Sequence, residues 1–129
     1  MKILALDYGR ARTGVAVSDE TGTLARPLGV VENVNDQDGI EMLLQVLRIE
    51  EPERIVVGLP LTLKGERGEQ ALETEAFVRS LRDLVDIPVE TFDERFTTDL
   101  AEKGGTAPQD ARAAAHLLSS YLEWASKRP

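Results

Sequence analysis

Apolar residues in the first part of this chain fall in short blocks between polar, glycine-bearing turns, and later blocks alternate with helical stripes. Residues 3–6 form an uninterrupted apolar run that stops at Asp7. A polar turn over residues 8–14 leads into a second run, residues 15–17, that ends in Ser18-Asp19. Two such runs around a tight turn predict a β-hairpin. The unbroken first run predicts a strand covered on both faces, hence central in its sheet. Residues 23–31 read as a third strand, and Pro27 within it, lacking an N–H, assigns it to a sheet edge. The loop at residues 33–36 carries N-cap candidates. A helix follows over residues 37–50, with Ile40, Leu43, Leu44 and Leu47 on one stripe and Pro52 preventing its continuation.

Residues 54–58 are a short buried strand, and residues 59–68 a loop carrying Lys64 and Arg67. A second helix spans residues 69–85, its buried stripe marked by Val78, Leu81 and Val85 with Phe77 and Leu84 beside it. Residues 88–92 form a last strand, running into Asp93-Glu94-Arg95. A short helix is expected from Thr97 or Thr98 to the Gly104-Gly105 stop. Thr106-Ala107-Pro108-Gln109 has the form of a capping box opening a final helix to about Ala125, packed through Ala111, Ala114, Ala115, Leu118 and Leu122.

The order is β-β-β-α-β-α-β-α-α. Right-handed β-α-β crossovers make strands one, four and five parallel, while the hairpin places strand two antiparallel to strand one. The expectation is an α/β fold with a five-stranded mixed sheet of order 3-2-1-4-5 and helices on both faces. At 129 residues, with no repeat or linker, the chain is expected to be one domain over residues 1–129.

Composition narrows the setting. The chain has no cysteine, which removes a disulfide framework or thiolate metal site and suits the cytoplasm. The opening apolar run is too short for an export signal, and no run approaches a membrane span. The net charge of −8 argues against broad, nonspecific nucleic-acid binding. It leaves room for an enzyme that meets phosphates through metal ions and a few local arginines, whose planar forks suit bidentate contacts.

In the expected sheet the ends of strands one, four and five share one edge, where open α/β sheets build their sites. Asp7, the Asp93-Glu94 pair and Asp110, in the first turn of the last helix, are thereby brought toward one place. Hard oxygen ligands of this kind suit Mg²⁺ or Mn²⁺, and paired ions can drive phosphodiester hydrolysis. Each acid also has a plainer role. Asp7 could cap its turn, Glu94 could pair with Arg95, and Asp110 could complement a helix dipole. His116, the only histidine, has no nucleophile near it in sequence and reads as packing or surface. The loop at residues 59–68 lacks the spacing of a P-loop.

Four motifs in register carry a resemblance. Asp7-Tyr8-Gly9 with Arg12, Gly14-Val15-Ala16 and Ser18-Asp19 resembles the first motif of the YqgF family, which includes RuvX-type proteins. Val57-Gly58-Leu59-Pro60-Leu61 with Gly65 is similar to its second, and Asp93-Glu94-Arg95-Phe96-Thr97-Thr98 with Ala101 to its third. Asp110 with Ala113-Ala114, Leu118 and Tyr121-Leu122 is similar to its C-terminal helix. The resemblance implies a ribonuclease-H-like fold related to RuvC resolvases. It also implies a metal-dependent nuclease that matures the 5′ end of pre-16S rRNA, or alternatively a Holliday junction resolvase. Its acidic residues fall on Asp7, Glu94 and Asp110, with Asp93 a fourth candidate, around a two-metal Mg²⁺ or Mn²⁺ site. Many members carry a longer, lysine-rich segment before the last helix; here residues 104–109 hold no basic residue.

The expected partner is structured RNA or branched DNA, met through Arg10, Arg12, Lys64, Arg67 and Arg95. No membrane is involved, ribosome precursors are the expected associates, and symmetric junction cleavage would require a homodimer. Two rivals remain at this point. A non-catalytic scaffold could keep the fold, and an ATP-binding protein of the actin and sugar-kinase type would share it but need a second domain.

Overall fold

The computed structural model describes residues 1–96 and 109–128. The chain runs β1 (Ile3–Asp7), β2 (Arg12–Ser18), β3 (Ala25–Glu32), α1 (Gln37–Glu50), β4 (Arg54–Leu59), α2 (Glu69–Leu84), β5 (Val89–Asp93), a single 3₁₀ turn (Glu94–Phe96) and α3 (Gln109–Ser126). The sheet order is β3-β2-β1-β4-β5. β1 pairs antiparallel with β2 and parallel with β4, and β4 pairs parallel with β5. The order, the directions and the edge position of the proline-bearing strand are those the hydrophobic pattern requires. The expected short helix and Thr106-Ala107-Pro108 of the expected capping box lie outside the described residues.

The element ends differ from expectation for local reasons. β3 begins at Ala25, not at residue 23, because the Asp19 carboxylate accepts the backbone N–H groups of Thr23 and Leu24 and holds them in the turn. α1 stops ahead of Pro52 through Glu51, whose φ of 49° is left-handed and whose N–H donates to the Leu47 carbonyl. Asp36 takes the N-cap position of α1 without a side-chain capping bond; its carbonyl accepts the Ile40 N–H.

Alternation along the strands divides the core into two layers and decides where the site can form. From β1, Leu4 and Leu6 join Leu43 and Leu47 of α1 and Phe77, Val78 and Leu81 of α2 on one face. Ile3 and Ala5 join Ala114, Leu117, Leu118 and Tyr121 of α3 on the other, together with Ala16, Val56 and Phe92. Leu4, Ala5 and Leu6 are fully buried, as a central strand demands. The side chains expected beside the α2 stripe separate: Phe77 is buried, whereas Leu84 is exposed. His116 lies half-buried on α3. Among the described residues, no helix is long and apolar enough to cross a membrane.

Candidate active site

The period of two that sets the core also selects the chemistry. Asp7 follows Ala5 by two residues, so it emerges on the α3 face of β1. Gly58 follows Val56 in the same way on β4, and Glu94 stands two residues past Phe92 of β5. On antiparallel β2, Gly14 and Arg12 precede Ala16 on the same face, and Gly14 pairs with Asp7 across the ladder. Asp93 falls in the opposite register, with Val89 of the other core layer. α3 then brings Asp110 in its first turn to this edge.

Two glycines let the parts approach. A Cβ at position 14 would lie 1.9 Å from the Asp110 carbonyl oxygen, so the start of β2 and the first turn of α3 are in backbone contact. A Cβ at position 58 would lie 2.5 Å from Glu94 Oε1; the bare backbone there is the space the Glu94 carboxyl uses. The hairpin turn is closed by Thr13, whose hydroxyl donates to the Gly9 carbonyl at 3.1 Å, and is tied to the start of α1 by the Asn33 N–H on the Ala11 carbonyl at 2.9 Å.

The electrostatics follow from this crowding. The Glu94 side chain is hydrogen-bonded to Asp7, and its pKa is pushed up to about 7 by burial first, then by the charge of Asp7. Asp7 is also raised, by burial and by the charge of Asp110, while the hydrogen bond from Glu94 works the other way. The directions are those of a Glu94 carboxyl donating its proton to the Asp7 carboxylate, which relieves two like charges in a half-buried site. Asp110 contributes its field to this pair, but its carboxylate is bonded elsewhere, at 3.2 Å from Arg12 Nε. Among the described residues no group of three carboxylate or histidine side chains is gathered tightly enough to hold a metal ion as it stands. The arrangement is a proton-sharing pair with a third acid beside it. Its donors are hard oxygens, and the shared proton offsets the charge that a divalent cation would, so the pair fits Mg²⁺ or Mn²⁺.

The plainer roles fare differently. Arg95 binds Asp93, not Glu94, through three guanidinium contacts of 2.6 to 3.1 Å and its backbone N–H at 2.9 Å. That guanidinium holds the Asp93 carboxyl below its usual range. Arg95 also reaches the Leu63 carbonyl at 3.4 Å, tying the loop after β4 to the site. Of the other basic residues, Arg10 pairs with Glu73 at 2.5 Å and Arg67 with Glu75 at 3.4 Å, while Lys64 is exposed.

Glu73 of α2 had no signal in the sequence beyond being one acid on an amphipathic helix. It receives Arg10 through both Nε and a terminal nitrogen, and the Tyr8 hydroxyl at 3.3 Å. Tyr8 in turn accepts from Asn35 Nδ2 at 2.7 Å and stacks on Phe77 with ring centroids 4.7 Å apart. The residue next to Asp7 is thereby fixed from the far side of the sheet.

A family model described as RuvX: Holliday junction resolvase matches residues 1–124. A protein of Sulfurihydrogenibium sp. named "Putative pre-16S rRNA nuclease" is 41% identical over 132 residues, covering 95% of this chain and 90% of its own. A protein of the same name from Chloroflexus aurantiacus is 37% identical over 137 residues, covering 98% and 90%. Among solved structures, T. thermophilus RuvC in complex with a Holliday junction substrate superposes with a TM-score of 0.65 at 17% identity, covering 98% of this chain and 96% of that one. The Fowlpox virus resolvase in complex with Holliday junction DNA gives 0.54 at 13% identity, covering 98% and 100%. These likenesses establish the ribonuclease-H-like fold.

Proposed function

The chain belongs to the RuvX family, and from that membership together with the acid pair at its sheet edge we propose that it is a metal-dependent endonuclease that processes the 5′ end of pre-16S rRNA. The observation that carries the chemistry is the Asp7–Glu94 pair, two carboxyls from distant segments held against each other at the cost of a raised pKa. The naming of relatives as nucleases of pre-16S rRNA favours that substrate.

Asp7, Glu94 and Asp110 are the proposed ligands of one or two Mg²⁺ or Mn²⁺ ions, with Asp93 left to its arginine. When bound, such ions supply Lewis-acid stabilisation of the phosphodiester and a reactive water. Asp7 anchors the cluster from the central strand. Glu94 would hold the metal as the deprotonated carboxylate, and Asp110 would hold it from α3. Arg10, Arg12, Lys64, Arg67 and Arg95 line the approach and hold phosphates. The whole of this lies in one domain, residues 1–129. The substrate sets the work in the cytoplasm, which the cysteine-free composition suits.

The description of the family favours a second reading, cleavage of branched DNA by a pair of subunits. Both are tested in one assay, with Mg²⁺ or Mn²⁺, on a ribosomal precursor and on a four-way junction, wild type beside Asp7→Asn. Metal-dependent cleavage of the precursor at its 5′ end, lost in the variant, is the expected result. Cleavage confined to the junction, by a dimer, would replace the first reading with the second. No cleavage of either, with full biological function retained by Asp7→Asn, would leave a binding scaffold.

A further inference from the structure

Arg12 and Asp110 bear opposite roles in the reading above, one meeting substrate phosphate and the other metal. The structure joins them: Arg12 Nε lies 3.2 Å from Asp110 Oδ2. The contact is set by the fold. Arg12 opens β2 two residues before Gly14, whose bare backbone meets the Asp110 carbonyl. Arg12 sits opposite Glu32 in the β2–β3 ladder, and both line an open depression with Val30, Gln109 and Asp110. The Arg12–Asp110 ion pair thus borders an open space, which Glu32 also lines.

Resting on the nuclease reading, we propose that Arg12 is the resident counter-ion of Asp110, and that it exchanges this carboxylate for a substrate phosphate when a divalent cation takes Asp110. Arg12 and a cation held by Asp110 would compete for the one carboxylate. With Asp110 so engaged, the guanidinium would be free to meet an anion in the depression that it lines. A phosphodiester seated there draws Arg12 away from Asp110 and favours the cation in return, because coupling between two ligands is reciprocal. Arg12 acts on the metal through Asp110 and is in that respect a positioning residue. Both side chains are substantially exposed, 65% for Arg12 and 40% for Asp110, which keeps the coupling small and the exchange easy.

The test uses Mn²⁺ alone, titrated calorimetrically into wild type, Arg12→Gln, Asp110→Asn and the double variant. Arg12→Gln is expected to bind Mn²⁺ about two- to fivefold more tightly than wild type, the range of an exposed ion pair. In the Asp110→Asn background the same change should make no difference, whereas a general effect of removing one positive charge would persist there. In a second arm, a phosphorothioate RNA hairpin that resists cleavage is titrated with and without Mn²⁺. The gain in affinity from Mn²⁺ should be larger for wild type than for Arg12→Gln, by a similar factor, and Arg12→Lys should recover part of it. If wild type binds Mn²⁺ and Arg12→Gln binds it no more tightly, the proposal falls and the nuclease reading stands. If wild type itself binds no Mn²⁺ at millimolar concentration, the reading of the site falls and the proposal with it.

Discussion

Glu94 is the residue on which the site's pH behaviour turns. Its carboxyl titrates near 7 in the fold, against an ordinary value of 4.5. A raised value means that the folded form binds the proton more readily than the unfolded form. Its contribution therefore costs stability above about pH 7 and is relieved as pH falls from there toward 4.5. Metal-free Glu94→Gln should melt above wild type at pH 8, by a few degrees for a cost on the order of 1 kcal/mol after solvent screening, and the gap should close by pH 5. Thermal melts of the two proteins in EDTA at both pH values check this; equal melting at pH 8 would contradict it. Mn²⁺ should raise the wild-type melting temperature, since it binds the assembled acids and not the dispersed ones. Asp7→Asn, Glu94→Gln and Asp110→Asn should each abolish cleavage while the far-UV circular dichroism stays native. Near-wild-type rates in any two at saturating metal would remove the acids from the mechanism. Asp7 was legible in the sequence because an acid ending a buried apolar run is conspicuous. The partner of Asp110 was not, because Arg12 lies far from it in the chain and only the docking of α3 onto β2 brings them together.

At the scale of the elements, the two glycines make opposite predictions. At Gly58 an added methyl meets the far end of the Glu94 side chain, which can rotate away. Gly58→Ala should fold nearly as well as wild type yet lose most cleavage, since the space for one carboxyl is gone. At Gly14 the added methyl meets backbone of α3, which cannot rotate. Gly14→Ala should cost stability, about 1–3 kcal/mol as in overpacked cores, and move Asp110 with the helix. Chemical denaturation read beside a cleavage assay separates the two; if Gly58→Ala retains full activity, Glu94 does not need that space. The sheet itself was open to sequence reasoning because each strand carried its own evidence: an unbroken apolar run for the centre, a proline for the edge. Its ends were not, because they are set by single side-chain bonds such as those from Asp19. The brace from Glu73 to Tyr8 and Arg10 was hidden for a similar reason: one acid among several on α2 carries no mark of which one faces the hairpin.

At the scale of the whole molecule, the charge is −8, and four of the five arginines and lysines proposed to meet phosphate are already paired with acids of this chain. Few phosphates can be neutralised, so log K for a structured RNA should fall with log salt at a shallow slope of roughly −2 to −4. Filter binding across a salt series measures it. A slope near −8 or steeper would require a large basic surface, such as one assembled by two subunits. The three acids come from widely separated parts of the chain. Asp7 sits on the first strand, Glu94 follows the fifth, and Asp110 rides on the last helix, which also covers the face on which they meet. A chain still being synthesised, with residues 1–96 outside the ribosome, has two of the acids, no third and no covering helix. For a protein proposed to cut ribosomal RNA, the proposed site is therefore expected to be complete only after α3 has been made.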